Sequence, residues 1–259
     1  MSTLTTEIRL PPSDGSTRRR SIVSYLGMPV LLIVVCAVLY LYVSGQKLDS
    51  IEARSLNAER LFTAFWQHLL LTLIPTVLVL IVAIPLGALL TRPFARRARG
   101  IIIGVLTIGQ AVPTIAVLVY FAVAFLFLGF ASAVLALFIF TIIPVLLNTI
   151  VGLEQVDEAV LEAGRGMGMS KSAVLLRIEL PLAVPIIMAG VRTALTITVA
   201  SAALAAYINA GGLGDIIVAG LSTNRVLVQV VGAVLTAALA LAIDYLAGLA
   251  EDLLRPRGL

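Results

Sequence analysis

Six stretches of this chain are apolar for long enough to cross a bilayer, and what lies between them is short or charged. A helix needs about 20 apolar residues to traverse the ~30 Å hydrocarbon core. The runs that qualify are Ile22–Val43, Leu69–Leu90, Ile101–Leu128, Ser132–Val151, Leu182–Ile208 and Val226–Leu249. Little more than Gly129–Ala131 separates the third from the fourth, which predicts a tight hairpin. Pro75, Pro85, Pro113 and Pro144 fall inside runs and predict kinks that free backbone carbonyls. Residues 1–21, rich in Ser, Thr, Pro and Arg, read as a disordered tail. Residues 22–43 form an extra N-terminal span, 44–68 an external loop, and 69–259 a five-helix core that includes a charged segment at 152–181.

Composition makes this reading firm. Sixty per cent of residues are hydrophobic and 12% charged, against about a quarter charged in soluble domains, and the mean hydropathy is +1.10. The chain has too few polar residues to clothe a soluble fold of its size. It is an all-α integral membrane protein. Its pI of about 9.6 does not signal nucleic acid, because its cations follow membrane topology. With the N-terminus inside, fourteen of the eighteen Lys and Arg are cytoplasmic, leaving Lys47, Arg54, Arg60 and Arg225 outside. The reverse orientation inverts that ratio, so both termini and residues 152–181 are expected inside. Arg18–Arg20 before an apolar run resembles a signal sequence, but the run exceeds the ~7–15 residues of such a core and no A-x-A site follows. Cys36, alone in an apolar run, implies neither disulfide nor metal and is expected to be a buried packing residue.

The segment from Gly152 to Pro181 holds eight charged side chains, which is costly beside so much lipid-soluble sequence. Val156, Ala159, Val160 and Ala163 recur at helical spacing, with Asp157, Glu158 and Glu162 near the start, where acids suit the helix dipole. Gly164, Gly166 and Gly168 end or bend that helix. Ser170 is positioned to cap a second helix, Lys171–Glu179, whose apolar face is Val174, Leu175 and Ile178; Pro181 then opens the fifth span. Ala163, Gly164 and Gly166 beside Met167 and Met169 suit close, adaptable contact with another protein. Lys171-Ser172 lacks the glycine of a phosphate loop, and Gly164-x-Gly166-x-Gly168 has no preceding strand, so nucleotide binding by this chain is not indicated.

This segment resembles the EAA motif of ABC-importer membrane subunits: E-A-A, three residues, Gly, nine residues, I-x-L-P. Glu162-Ala163-Gly164, Gly168 and Ile178-x-Leu180-Pro181 match that spacing, with Gly164 in place of the second alanine. "IPVLLNTIVGLEQVDEAVLEAGRGMGMS", "ELPLAVPIIMAGVRTA" and "INAGGLGD" extend the likeness over residues 60–255, to the glycine betaine/carnitine/choline branch. Relatives often have arginine where this chain has Leu147. The resemblance implies the six-helix type I importer permease fold, with Glu162, Ala163, Gly164, Arg165, Gly168 and Met169 gripped by a cytoplasmic ATPase. It further implies a non-catalytic subunit without cofactor of its own. ATP and Mg would be bound by an ABC ATPase dimer, beside a second permease and an extracytoplasmic solute-binding protein, in a bacterial or archaeal plasma membrane. The alternatives are a methionine or other amino-acid importer, and a secondary transporter with Asp244 as coupling site.

Polar side chains within spans usually face a cavity. Gln110, Thr114, Asn148 and Thr196 are the foremost candidates for a solute path, with Thr141, Thr193, Thr198, Ser201 and Asp244 behind them. No aromatic cluster suggests a cage for a methylated ammonium; Trp66, Tyr25, Tyr40 and Tyr42 flank spans as interfacial anchors. His68 is expected at the interface as well, and Asp215 in an exposed outer turn.

Overall fold

The computed structural model describes residues 22–124 and 128–254, and every element among them is helical. The expected tail 1–21, Arg255 and Arg257 lie outside the described residues. Helix α1 (Ile22–Ser44) is followed by the short α2 (Ser50–Ser55) and then by α3 (Ala58–Leu90). Region 44–68 is therefore largely helical, and α3 starts at Ala58, well before Leu69. Asn57 caps α3 by accepting from the Arg60 N–H at 2.8 Å. Arg60, Gln67 and His68 interrupt the hydropathy of that first stretch without interrupting its helix.

The run expected to form a third span, Ile101–Leu128, is broken. Its two parts, α4 (Arg96–Gln110) and α5 (Thr114–Ala124), meet at a 96° bend. Pro113 sits in the break, where its ring and missing N–H exclude a regular helix. Helix α6 (Phe130–Glu154) follows, and α7 (Glu158–Gly166) leads to α8 (Lys171–Val174). A π-turn, Leu175–Glu179, runs from α8 into α9 (Leu180–Ala202). Lys171–Glu179 is therefore not a separate helix but the first turns of a continuous rod. The reason is local: Pro181 would clash with the carbonyl of Arg177 in an α-helix, and the wider turn, closed by the Leu180 N–H on the Leu175 carbonyl, relieves it. Helices α10 (Leu213–Ser222) and α11 (Val226–Leu254) complete the chain. Five described helices are long and apolar enough to cross a membrane, six if α4 and α5 form one span.

Helix α6 lies at the centre, packed between α3 and α9, while α11 packs on α9 and α10, and α1 on α11. Small residues permit the close approach. A Cβ on Gly190 of α9 would lie 2.7 Å from the Pro144 carbonyl oxygen of α6, and one on Gly87 of α3 would lie 2.7 Å from Thr149. Buried His68, not interfacial as expected, holds α3 to α9 through Nε2 and the Val199 carbonyl at 3.1 Å. Its ring is shielded because it fits beneath the glycine turn that precedes α10, with Nδ1 3.2 Å from where a Gly212 Cβ would stand.

Two of the prolines leave carbonyls that side chains from elsewhere satisfy. Proline at position i cannot donate to the carbonyl at i−4. The Phe140 carbonyl, orphaned by Pro144, accepts from Gln110 Nε2 at 3.2 Å. The Tyr25 carbonyl, orphaned by Pro29, accepts from the Tyr245 hydroxyl at 2.7 Å and so fastens α1 to α11. Apart from that seam α1 is largely bare, and Cys36 is exposed on it rather than buried.

Candidate functional site

The segment that carries the motif is built as a capped helix folded back onto a span. Asp157 caps α7 by accepting from the Ala159 N–H at 2.9 Å. Glu158 in its first turn and Arg165 in its last pair at 2.8 Å, each at the helix end its charge suits. The chain then reverses: the Met169 N–H reaches the Gly164 carbonyl at 3.2 Å, and Gly168 takes φ 84°, a backbone angle that favours glycine. Ser170 caps α8 through the Ala173 N–H at 3.2 Å.

Helix α7 has two faces. Leu161 and Gly164 are buried against the α8–α9 rod. A Cβ at Gly164 would stand 2.6 Å from Ile178 Cδ1 and 3.6 Å from Val174 Cγ2. Gly164 is thus an internal contact, not part of an outward surface. The opposite face carries Glu162, Ala163, Arg165, Gly166 and Gly168, all exposed, with Met169 half-buried. Val160, Ala163 and Met167, at helical spacing, leave an apolar stripe uncovered, and Met167 is 76% exposed.

Below this tip Glu179, only 4% exposed, binds Arg92 from the end of α3 in a two-pronged pair at 2.5 and 3.3 Å. Arg99 of α4 grips Glu154 at the end of α6 in the same bidentate fashion. Arg92, Arg165, Lys171 and Glu179 share a cleft beside α8. The tip is therefore pinned to three of the long helices at one end of the bundle. At the opposite end Asp49 caps α2 and pairs with Arg225 at 2.7 Å. Asp215 lies half-buried in the first turn of α10 rather than in an exposed turn; burial raises its carboxyl pKa and Arg60 opposes that shift.

The solute-path candidates do not converge. Gln110 and Asn148 donate to carbonyls of α6, those of Phe140 and Pro144, and Asn148 faces Gly190 across the α6–α9 seam. Thr114 opens α5, half-buried. Thr141, Thr193, Thr196 and Thr198 each donate to the carbonyl four residues earlier. Thr193, Thr196 and Asp244 line one cleft, which they share with Arg192 and Glu251. Arg192 meets Asp244 of α11 through three contacts of 2.9–3.1 Å, so Asp244 is paired within the chain. That pairing was hidden in the sequence, where the two are 52 residues apart. Among the described residues no group of His, Cys, Asp and Glu is arranged to hold a metal.

Residues 83–257 match the model of the binding-protein-dependent transport system inner membrane component family. The carnitine transport permease protein OpuCB of Listeria monocytogenes is 39% identical over 203 residues, 78% of this chain and 92% of that protein. The choline transport system permease protein OpuBB of Bacillus subtilis matches equally well, with 39% identity over 78% of this chain and 92% of its own length. The osmoprotectant import permease protein OsmY of Salmonella typhimurium is 34% identical over 83% of this chain and 89% of its own. Among solved structures, a chain of the inward-facing MetNI methionine ABC transporter superposes with a TM-score of 0.66, covering 76% of this chain and 97% of that one at 21% identity, a likeness of fold.

Proposed function

Because the chain belongs to the family of binding-protein-dependent transport system inner membrane components, we propose that it is the permease of an ATP-driven importer for compatible solutes: glycine betaine, carnitine, choline or proline betaine. The observation that carries the coupling half of this reading is the α7 tip. An apolar stripe of Val160, Ala163 and Met167 stands uncovered beside charged Glu162 and Arg165. Such a patch on an otherwise well-packed element marks a protein-binding surface. The tip is also braced, since α8 continues through the π-turn into α9 and Glu179 locks to Arg92. A push on α7 is thus delivered to a span rather than absorbed in a loop.

In this reading two such permeases, identical or similar, form the pathway, with both termini of each cytoplasmic. A cytoplasmic ATPase dimer binds ATP and Mg and grips one tip per permease, through Glu162, Ala163, Arg165 and the turn at Gly168 and Met169. Its closure draws the tips together and opens the cavity outward, where a solute-binding protein delivers its cargo. Hydrolysis lets the bistable bundle return. The chain itself carries out no chemical step.

The solute class rests on the relatives named for carnitine, choline and osmoprotectants at 34–39% identity. The methionine alternative has a likeness of fold at 21% identity. Competition decides between them. Vesicles containing this chain with its co-expressed ATPase, binding protein and any second permease should accumulate labelled glycine betaine, and excess choline or carnitine should suppress it. Suppression by methionine, with choline inert, would refute the compatible-solute reading and leave the importer architecture standing.

A further inference from the structure

Arg192 stands twelve residues into the helix that begins at Leu180, about 18 Å along it at 1.5 Å per residue. That places it towards the cytoplasmic end of the bundle, because its partner Glu251 stands three residues before Leu254, where α11 ends. There it meets two acids of α11: Asp244 at 2.9 Å, and Glu251 at 3.5 Å on its other terminal nitrogen. The three side chains are 33%, 37% and 27% exposed and border an open cleft of about 470 Å³ with Ala189, Thr193 and Thr196. Ionised groups are rarely left facing lipid and line water-filled paths or protein contacts.

From this cleft we infer a solute-binding subsite in the permease wall, which takes small molecules bearing a methylated ammonium, with or without a carboxylate. The inference deepens the compatible-solute reading and rests on it. One guanidinium against two carboxylates leaves a net charge of −1, so a cation is attracted and a simple anion repelled. A zwitterion finds both partners, its carboxylate on Arg192 and its cation between Asp244 and Glu251. The hydroxyl protons of Thr193 and Thr196 are committed to the Ala189 and Arg192 carbonyls, both at 2.9 Å. They offer no donor to a group that cannot accept one, as a fully methylated nitrogen cannot. When the solute leaves, Arg192 closes again on Asp244, so no buried charge is stranded and the dwell stays short.

The test uses the reconstituted complex with Cys36→Ser and Thr193→Cys. The introduced thiol is challenged with two thiosulfonate reagents of similar size, one ending in trimethylammonium and one in sulfonate. The trimethylammonium reagent should react faster by about tenfold or more, beyond the ratio on a free thiol, as expected for a focused negative field. Millimolar choline or glycine betaine should slow it, and Glu251→Gln should shrink the preference. An unreactive thiol would mean that protein or lipid covers the cleft, and reaction without protection by either amine would mean solvation without binding. Either result overturns the subsite. Solute uptake in the same vesicles tests the parent reading separately: accumulation of methionine in place of quaternary amines would defeat that reading, whereas the thiol reports on the cleft itself.

Discussion

Gln110 donates to the carbonyl of Phe140, the acceptor that Pro144 leaves without its helical partner. This bond crosses from the last residue of α4, just before the 96° break, to the central helix α6. A proline that weakens one helix thereby becomes the anchor for another.

Gln110→Ala should therefore destabilise the purified complex by about 1 kcal/mol, the scale of one buried hydrogen bond. In a Pro144→Ala background the Phe140 carbonyl regains a backbone donor, and the same Gln110→Ala change should cost much less. A thermal-unfolding double-mutant cycle reads the coupling; additive losses would show that what Gln110 contributes does not depend on the carbonyl that Pro144 orphans.

Arg92 and Glu179 tie the end of α3 to the π-turn. Arg92→Ala strands a carboxylate that is 5% exposed, whereas Glu179→Gln leaves a neutral amide beside a guanidinium 32% exposed. The arginine change should cost about 2–3 kcal/mol and the glutamate change about half that, scaled down from fully buried pairs because Arg92 reaches solvent. Unfolding midpoints of the two variants check the order, and ATP hydrolysis should become less dependent on solute in both.

Gly164 lies against Ile178 Cδ1, the flexible end of a side chain. Gly164→Ala should be accommodated by a small shift of Ile178, with uptake within about twofold of wild type, since alanine also favours the helix by up to ~1 kcal/mol. Gly164→Val should lift α7 off the rod and abolish coupled uptake. Equal activity of the two would contradict the close packing.

Helix α2 carries its own acid sensitivity. The N–H groups of Glu52 and Ile51, and Arg225, hold the Asp49 carboxyl below the usual carboxylate pKa. A depressed folded value gives stability that is fully present above the unfolded pKa of about 3.9 and lost as pH falls through the folded one. Hydrogen exchange of Ser50–Ser55 should stay constant from neutral pH to about 4 after correction for intrinsic rates, then rise below that. In Asp49→Ala it should be fast throughout.

Local signals were legible in the sequence. Ser170 caps the helix that starts at Lys171, as expected, while Asp157, read only as one of the acids near a helix start, is the cap of α7; the spacing from Glu162 to Pro181 marked the motif. Hydropathy found the long helices but not their true ends, because it scores solubility in lipid and not helicity: α3 runs back through Arg60 and His68 to Ala58. For the same reason His68 read as interfacial, though a protein neighbour, the Val199 carbonyl, accommodates it. Gly164 read as surface because a glycine is equally suited to touching a partner and to touching its own chain. The pairs Gln110–Phe140, Arg92–Glu179 and Arg192–Asp244 join residues 30 to 87 positions apart. No periodicity encodes such contacts; they follow from which helices become neighbours.

The most direct measurement is glycine betaine uptake by vesicles containing this chain and its co-expressed partners, with and without enclosed ATP, for the wild type and for Glu162→Ala. Accumulation that needs ATP, and that Glu162→Ala weakens while the complex stays assembled, is the predicted result. Accumulation without ATP, or without any ATPase in the membrane, would contradict the coupling role assigned to α7.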